Sequence, residues 1–257
     1  MSDYKDILYD VKDSVATITI NRPNSLNAFT GDTIEEMIDA LQTATDDIDV
    51  GVLVLTGVGE RAFCVGGDVK WEADGGLEGI DFPINTMIMK CPKPVIARVN
   101  GYSIGGGNHI AYYCDLTIAA DHAIFGQNGP RVGSPACGFI VGYLANVVGH
   151  KRAREMWMGL RKYTAAEMLD WGLVNAVVPY AELDAEVSRW ANDMLALSPT
   201  CLRLVKQTFY DNVDYMMDQT MKKVITEHAP NYFQTGEQQE GANAFLEKRT
   251  PDFSHWR

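Results

Sequence analysis

The sequence predicts an α/β fold, a mainly parallel β-sheet covered by helices with a helical tail behind it. Two continuous apolar runs, residues 51–57 and residues 94–99, have the composition of strands buried on both faces. Strand and helix patterns alternate around them, and beyond Lys151 the pattern turns to helices alone.

In chain order, residues 8–10 and 15–20 are β-rich runs around the turn Lys12-Asp13-Ser14, and Arg22-Pro23-Asn24-Ser25 stops the second. After Thr33, the residues Ile34, Met37, Ile38 and Leu41 recur at i, i+3, i+4 and i+7, which predicts a helix with one buried face. The strand 94–99 delivers the chain to Asn100-Gly101-Tyr102-Ser103-Ile104-Gly105-Gly106-Gly107, and a helix over 108–113 and a strand over 115–120 follow. Residues 152–160, 164–171 and 181–197 read as helices separated by Gly172 and Pro179, and Pro199 opens a long amphipathic stretch to about residue 228. A boundary near 198 divides a body, 1–197, from a helical C-terminal region, 198–257. That region is too short to hold its own core and should dock on the body or on a neighbouring subunit.

The 22 Lys and Arg against 34 Asp and Glu leave a formal charge of −12, without the basic face that binding to nucleic acid requires. Five scattered cysteines with no C-x-x-C pair predict reduced thiols rather than disulfides or a metal site. No run approaches the ~20 apolar residues of a membrane span. The opening Met1-Ser2-Asp3 is unlike a signal or transit peptide. The expectation is a soluble cytoplasmic protein with no nucleic-acid, membrane or metal partner.

Two glycine clusters, Val65-Gly66-Gly67-Asp68 and Gly105-Gly106-Gly107, each follow a strand pattern and precede a helix or turn. Glycine there lets backbone N–H groups approach a ligand, and a helix N-terminus favours negative charge. One N–H from each cluster would make an oxyanion hole. Each cluster could equally be a tight turn. Neither has the spacing of a phosphate-binding P-loop or a dinucleotide fingerprint.

These clusters sit among other motifs: Ile20-Asn21-Arg22-Pro23, Asn27-Ala28-Phe29, Ala62-Phe63-Cys64 before Val65, Lys93-Pro94-Val95-Ile96-Ala97, and Cys114-Asp115. In order and over nearly the whole chain they resemble the enoyl-CoA hydratase/isomerase (crotonase) superfamily. The segments 124–134, 151–157 and 247–253 resemble its branch containing 1,4-dihydroxy-2-naphthoyl-CoA synthase and 2-ketocyclohexanecarboxyl-CoA hydrolase. The resemblance implies a spiral of ββα turns, a helical C-terminal trimerisation region, and a homotrimer or dimer of trimers. It implies an acyl-CoA thioester substrate and no tightly bound cofactor, with the carbonyl in a hole made by the N–H groups of Gly67 and Gly106. The CoA arm would pass Arg22, the turn from Val65 and Gly66 through Asp68, Val69 and Lys70, and then Tyr102, Ser103, Ile104 and Gly105. Lys248 matches a lysine that reaches CoA in the naphthoyl branch.

The chain departs from its relatives at the acid and base positions. Where hydratases carry two glutamates it has His109 and Gly129, which disfavours water addition by paired glutamates. The branch's aspartate, two residues after Ser134, is Ala136, and its tail tyrosine aligns with Phe233, beside Tyr232. The basic and aromatic loop of that branch is shortened here to Trp71 through Phe82, an acidic stretch with Glu72, Asp74, Glu78 and Asp81. Gln127, Gly129 and Trp157, with Asn128 between the first two, match a bicarbonate pocket, so bicarbonate is a possible ligand.

His109 should face the substrate α and β carbons and exchange a proton near neutrality, or else be a buried structural imidazole. Cys137 lacks an activating base and reads as lining. Tyr112, Tyr113, Phe139, Tyr143, Trp157, Tyr232 and Phe233 point to a bulky cyclic acyl group, or to ordinary core. The expected activity is C–C bond cleavage or formation on a cyclic or ring-derived β-keto acyl-CoA. The alternatives are a hydratase or isomerase on an aromatic or dicarboxylic enoyl-CoA using His109 or Ser134, and a non-catalytic CoA-ester-binding paralogue.

Overall fold

The computed structural model describes residues 4–78 and 83–256; Met1-Ser2-Asp3, and Asp81 and Phe82 of the acidic stretch, lie outside them. The elements up to the glycine helix are β1 (Ile7–Lys12), β2 (Val15–Ile20), α1 (Gly31–Asp46), β3 (Val52–Gly57), β4 (Ala62–Cys64), α2 (Val69–Trp71), α3 (Pro83–Lys90), β5 (Val95–Val99), β6 (Tyr102–Ile104) and α4 (Gly106–Tyr113). Then come β7 (Leu116–Ala120), β8 (Ile124–Gly126), α5 (Gly129–Val132), α6 (Phe139–Gly142), α7 (Leu144–Val148), α8 (His150–Gly159), β9 (Lys162–Thr164), α9 (Ala165–Trp171) and β10 (Ala176–Val178). The chain closes with α10 (Leu183–Leu195), α11 (Pro199–Asp211), α12 (Met221–His228) and α13 (Glu237–Leu246).

One sheet runs β1-β2-β3-β5-β7-β10, parallel except for the β1/β2 hairpin. The second runs β4-β6-β8-β9, parallel except for β8/β9. Each of β3, β5 and β7 is followed by one short strand of the second sheet and then a helix, the ββα turn of a spiral. The central strands β3, β5 and β7 of the first sheet are buried on both faces. Leu53 and Leu55 join the large core with Ile18, Phe63 and Phe125, while Val52 and Val54 face a smaller core under α10 with Ile96, Ile118 and Leu183. Three-residue strands show no alternation, so the hydrophobic pattern predicts the first sheet except β10 and passes over the second.

Two boundaries differ from expectation. Helix α1 begins at Gly31 rather than Thr33, because Thr30 caps it and shares a reciprocal capping box with Thr33. The stretch 199–228 is not one helix but α11 and α12. Thr220 caps the second through Lys223 N, and Gln219 O accepts from Phe139 N at 2.7 Å, which ties the break to the body. Among the described residues no helix is long and apolar enough to cross a membrane.

Helix α11 is anchored by Lys206. Its buried Nζ donates to Ile88 O and Lys93 O, both at 3.0 Å, and pairs with Asp115 at 2.6 Å. Asp115 also accepts from Val95 N at 2.7 Å. Burial raises the Asp115 carboxyl and the Lys206 ammonium opposes this. Lys206→Met leaves a carboxylate and two carbonyls without their donor and should cost about 2 kcal/mol in urea unfolding; a loss below about 0.5 kcal/mol would remove Lys206 as the anchor.

Candidate active site

The two glycine turns meet. Gly66 has φ 92°, and Phe29 forms an isolated parallel bridge with Gly67, donating its N–H to Gly66 O at 2.9 Å and accepting from Asp68 N at 2.8 Å. That bridge uses the residues on either side of Gly67 and turns Gly67's own N–H away from Phe29. Gly105, at φ 56°, precedes α4, so the N–H of Gly106 opens a helix and has no acceptor within it. A Cβ on Gly66 would sit 3.0 Å from Gly106 N, one on Gly106 2.5 Å from the Phe29 ring, and one on Gly107 2.0 Å from Cys64 O. The turns approach this closely only because these residues are glycine. The result is two N–H donors beside a helix N-terminus, an arrangement that stabilises a developing oxyanion.

The hole lies between two spaces. On one side is a small chamber of about 50 Å³ walled by Phe29, Ile34, Leu77, Ile84, Ile110, Ile140 and Met221, with Glu72, Asn85, His109 and Ser134 as its polar groups. On the other is an open cleft of about 750 Å³, within the usual range for a ligand site. Val65, Gly66, Gly67, Asp68, Val69, Lys70, Tyr102, Ile104, Gly105, Gly106, Gln127, Asn128, Gly129 and Trp157 line this cleft, together with His109 and Ser134.

Other expected residues fall elsewhere. Ser103 is fully buried. Arg22 is clamped by Asp6 at 3.2 Å and Asp68 at 3.3 Å, donates to Ala28 O, and borders a shallow outer recess with Lys70 rather than the cleft. Tyr232 gives its hydroxyl to Gly133 O at 2.6 Å and stacks edge-on with Phe233, and neither lines either space. Lys248 lies just past the end of α13, beyond the cleft-lining Phe245 and Leu246. The cleft gains two cations that motif reading passed over, Arg131 and Lys162, the latter 5.5 Å from the Tyr102 ring.

His109 does not titrate near neutrality. Burial pushes its imidazole down to about 4, against a hydrogen bond at 3.1 Å to Gln127 Oε1. The neutral ring donates to that oxygen and leaves the Gln127 amide nitrogen free of it. Gln127 Nε2 and Trp157 Nε1 are then two buried donors without partners, on residues flanking His109. The Cys137 thiol donates to Met221 O and is pushed up to about 11 by burial, so it is no nucleophile. Tyr112, Tyr113, Phe139 and Tyr143 form an aromatic cluster in the core and line neither space, so they hold no acyl group.

Glu72 is the group that motif reading left in an acidic loop. Asp68 caps α2 through Lys70 N and Trp71 N, and the following π-helical turn, Glu72–Gly76, brings Glu72 back over the hole. A Cβ on Gly67 would lie 2.0 Å from Glu72 Oε1, so the carboxyl rests against Gly67. Glu72 is 6% exposed and pushed up to about 7 by burial, with the nearby Ser134 hydroxyl opposing that rise. The spacing of five residues from Gly67 across a capped helical turn is the signal that could have revealed it.

Family comparison agrees with this geometry. The family model described as enoyl-CoA hydratase/isomerase matches residues 10–256. The chain belongs to the enoyl-CoA hydratase/isomerase family. It is therefore a crotonase-superfamily acyl-CoA enzyme by descent. It is similar to an enoyl-CoA hydratase from Mycobacterium avium subsp. paratuberculosis K-10, with 29% identity over 97% of this chain and 98% of that one and a TM-score of 0.84. A carnitinyl-CoA hydratase from Mycobacterium avium is 29% identical over 97% and 98% of the two chains, with a TM-score of 0.83. A methylmalonyl-CoA decarboxylase solved with 2-nitronate-propionyl-CoA is 26% identical over 97% and 98%, with a TM-score of 0.84.

Two outcomes follow from the geometry. Gly66→Ala forces a Cβ against Gly106 N at a left-handed φ and should slow α-hydrogen exchange of an acyl-CoA in D2O by about 10²-fold while leaving the far-UV circular dichroism unchanged. At His109 the folded value of about 4 lies below the ordinary 6.5, so between those values the unfolded chain binds the extra proton and stability falls as pH is lowered. His109→Gln should therefore lose about 3 kcal/mol less than wild type between pH 6.5 and 4 in urea titrations.

Proposed function

We propose that this enzyme makes or breaks a C–C bond in a compact cyclic or ring-derived β-keto acyl-CoA, through a thioester enolate held by the N–H groups of Gly67 and Gly106. The supporting observation is the hole itself, faced in its chamber by Glu72 as the only carboxyl group among the described lining residues. Paired glutamates would let one activate water and the other protonate carbon. One carboxyl supports loss or gain of a proton at the enolate carbon without that second role.

For ring opening, water adds to the β-keto carbonyl and gives up a proton; the adduct then collapses to the new carboxylic acid, the C–C electron pair becomes the enolate, and the two fixed N–H dipoles take up the charge on its oxygen without reorganising. The small apolar chamber favours a compact acyl group, since the aromatic residues that suggested a bulky one belong to the core. The CoA arm would occupy the open cleft, with Lys70, Arg131 and Lys162 available to its phosphates. The partnerless donors of Gln127 and Trp157 fit an anion, and with Gly129 they would hold bicarbonate. That ion supplies a base when bound. The exposed Leu204, Val205 and Phe209 of α11 favour contact between copies, as a trimer or dimer of trimers.

A second reading, hydration or isomerisation of an enoyl-CoA, is favoured by the hydratases among the similar structures. Incubation with a cyclic β-ketoacyl-CoA and, separately, with an enoyl-CoA distinguishes them by mass spectrometry and NMR of the products. Ring-opened dicarboxyl-CoA is the expected result, and hydroxyacyl-CoA or a shifted double bond would support the second reading. Tight binding with turnover of neither would make the protein a CoA-ester binder and overturn both.

A further inference from the structure

Every other buried carboxyl, thiol or ammonium near the site has an evident structural partner. Asp115 holds Lys206, Asp68 caps α2 and clamps Arg22, and Cys137 bonds Met221 O. Glu72 does not fit that pattern. Among the described residues no cation is paired with it, and its side chain lies beside the hydroxyl of Ser134 and against Gly67. A glutamine would fill the same volume and accept the same hydrogen bond without the cost of burying an ionisable group. An unpaired buried carboxyl aimed into a ligand chamber is the mark of a proton-transfer group.

We propose that Glu72 is the catalytic acid–base of this enzyme, exchanging a proton with the α carbon of the acyl-CoA whose carbonyl is held by Gly67 and Gly106, and that Ser134 is its positioning residue. This rests on the enolate reading above. In one direction the Glu72 carboxylate takes the α proton: the C–H pair becomes the C=C bond of the enolate, the carbonyl π pair moves onto the thioester oxygen, and the proton ends on the carboxyl. In the other the neutral carboxyl returns it to carbon and becomes carboxylate. No electron acceptor or further reactant is needed.

Geometry supports the assignment from three sides. The carboxyl oxygen packs against the residue that supplies one of the hole's N–H donors, so it lies next to the carbon bonded to the held carbonyl. The main chain of Glu72 is fixed from the C-terminal region, because Gln238 of α13 donates its amide to Glu72 O at 3.2 Å. The same helix packs on the Ser134 turn: a Cβ on Gly241 would lie 2.5 Å from Gly133 N. One helix therefore holds the acid–base group and its partner in register.

The groups facing Glu72 set its titration. Asp68 on its own turn disfavours the charged form, as does burial, while the Ser134 hydroxyl favours it. Neutral His109 shares its chamber and contributes no charge near neutrality. Tyr232 from the tail feels the Glu72 charge but keeps its own proton. The carboxyl is thus divided between its two forms near pH 7, as a proton-exchanging group should be.

The test is α-hydrogen exchange of a short acyl-CoA in D2O, followed by NMR, alongside calorimetric binding of the same ester to the intact protein. Wild type should exchange, with a rate that rises with pH to a plateau above about 7. Glu72→Gln should lose about 10²-fold or more in rate while its Kd changes less than about threefold. Ser134→Ala should keep exchange but move the pH midpoint upward, a shift that a merely structural serine would not produce. Should Glu72→Gln fail to fold, Glu72→Asp serves, with a slower plateau and intact binding expected.

Exchange at the wild-type rate in a folded Glu72→Gln or Glu72→Asp variant overturns the assignment. Wild-type binding with no exchange overturns it as well. No binding of any acyl-CoA by wild type would instead sink the underlying enolate reading.

Discussion

The structure depends on two strand-to-helix turns being pressed within one methyl group of each other. The turn after β4 and the turn after β6 belong to successive layers of the spiral, and their strands pair in parallel in the second sheet. Pairing brings Gly66 beside Gly106 and Gly107 beside Cys64 O, with no room for a Cβ at any of the three glycines. Close approach of backbone to backbone is what brings the N–H of Gly106 beside the turn that carries Gly67. The closeness of the two turns is a property of packed main chain, not of side chains.

Around that fixed point the polar chemistry is set by burial. His109 and Glu72 share a chamber and are moved in opposite senses, the imidazole toward acid and the carboxyl toward neutrality, because a dry wall disfavours the charged form of each. Near pH 7 the imidazole is therefore neutral while the carboxyl is divided between its two forms, and the residue type alone would assign them the wrong way round. The residue that looked like a proton carrier is a fixed donor to Gln127, and the residue that looked like part of a solvated acidic loop is the titrating one.

The C-terminal region completes the site. Lys206 ties α11 to the ends of β5 and α3, and α13 lies over the Gly133 turn and the Glu72 backbone. Met221 closes the chamber, and Phe245 and Leu246 border the cleft. The 257-residue chain thus uses its tail within the protomer as well as for any contact between copies.

The sequence by itself determined the first sheet apart from its edge strand β10, the amphipathic helices and the glycine turns. Each is a local property: an apolar run between punctuating residues, a 3.6-residue period, or a position that a Cβ cannot occupy. It also carried the family, through motifs whose order matches the spiral. The break between α11 and α12 needed a tertiary contact, because Gln219 O is held by Phe139 N, far away in sequence. So did the second sheet, whose strands are three residues long. Only the fold decided the acid–base chemistry. Whether a histidine or a glutamate holds a proton at pH 7 depends on which wall it faces and what is left unpaired beside it, and neither is written in a residue's neighbours along the chain.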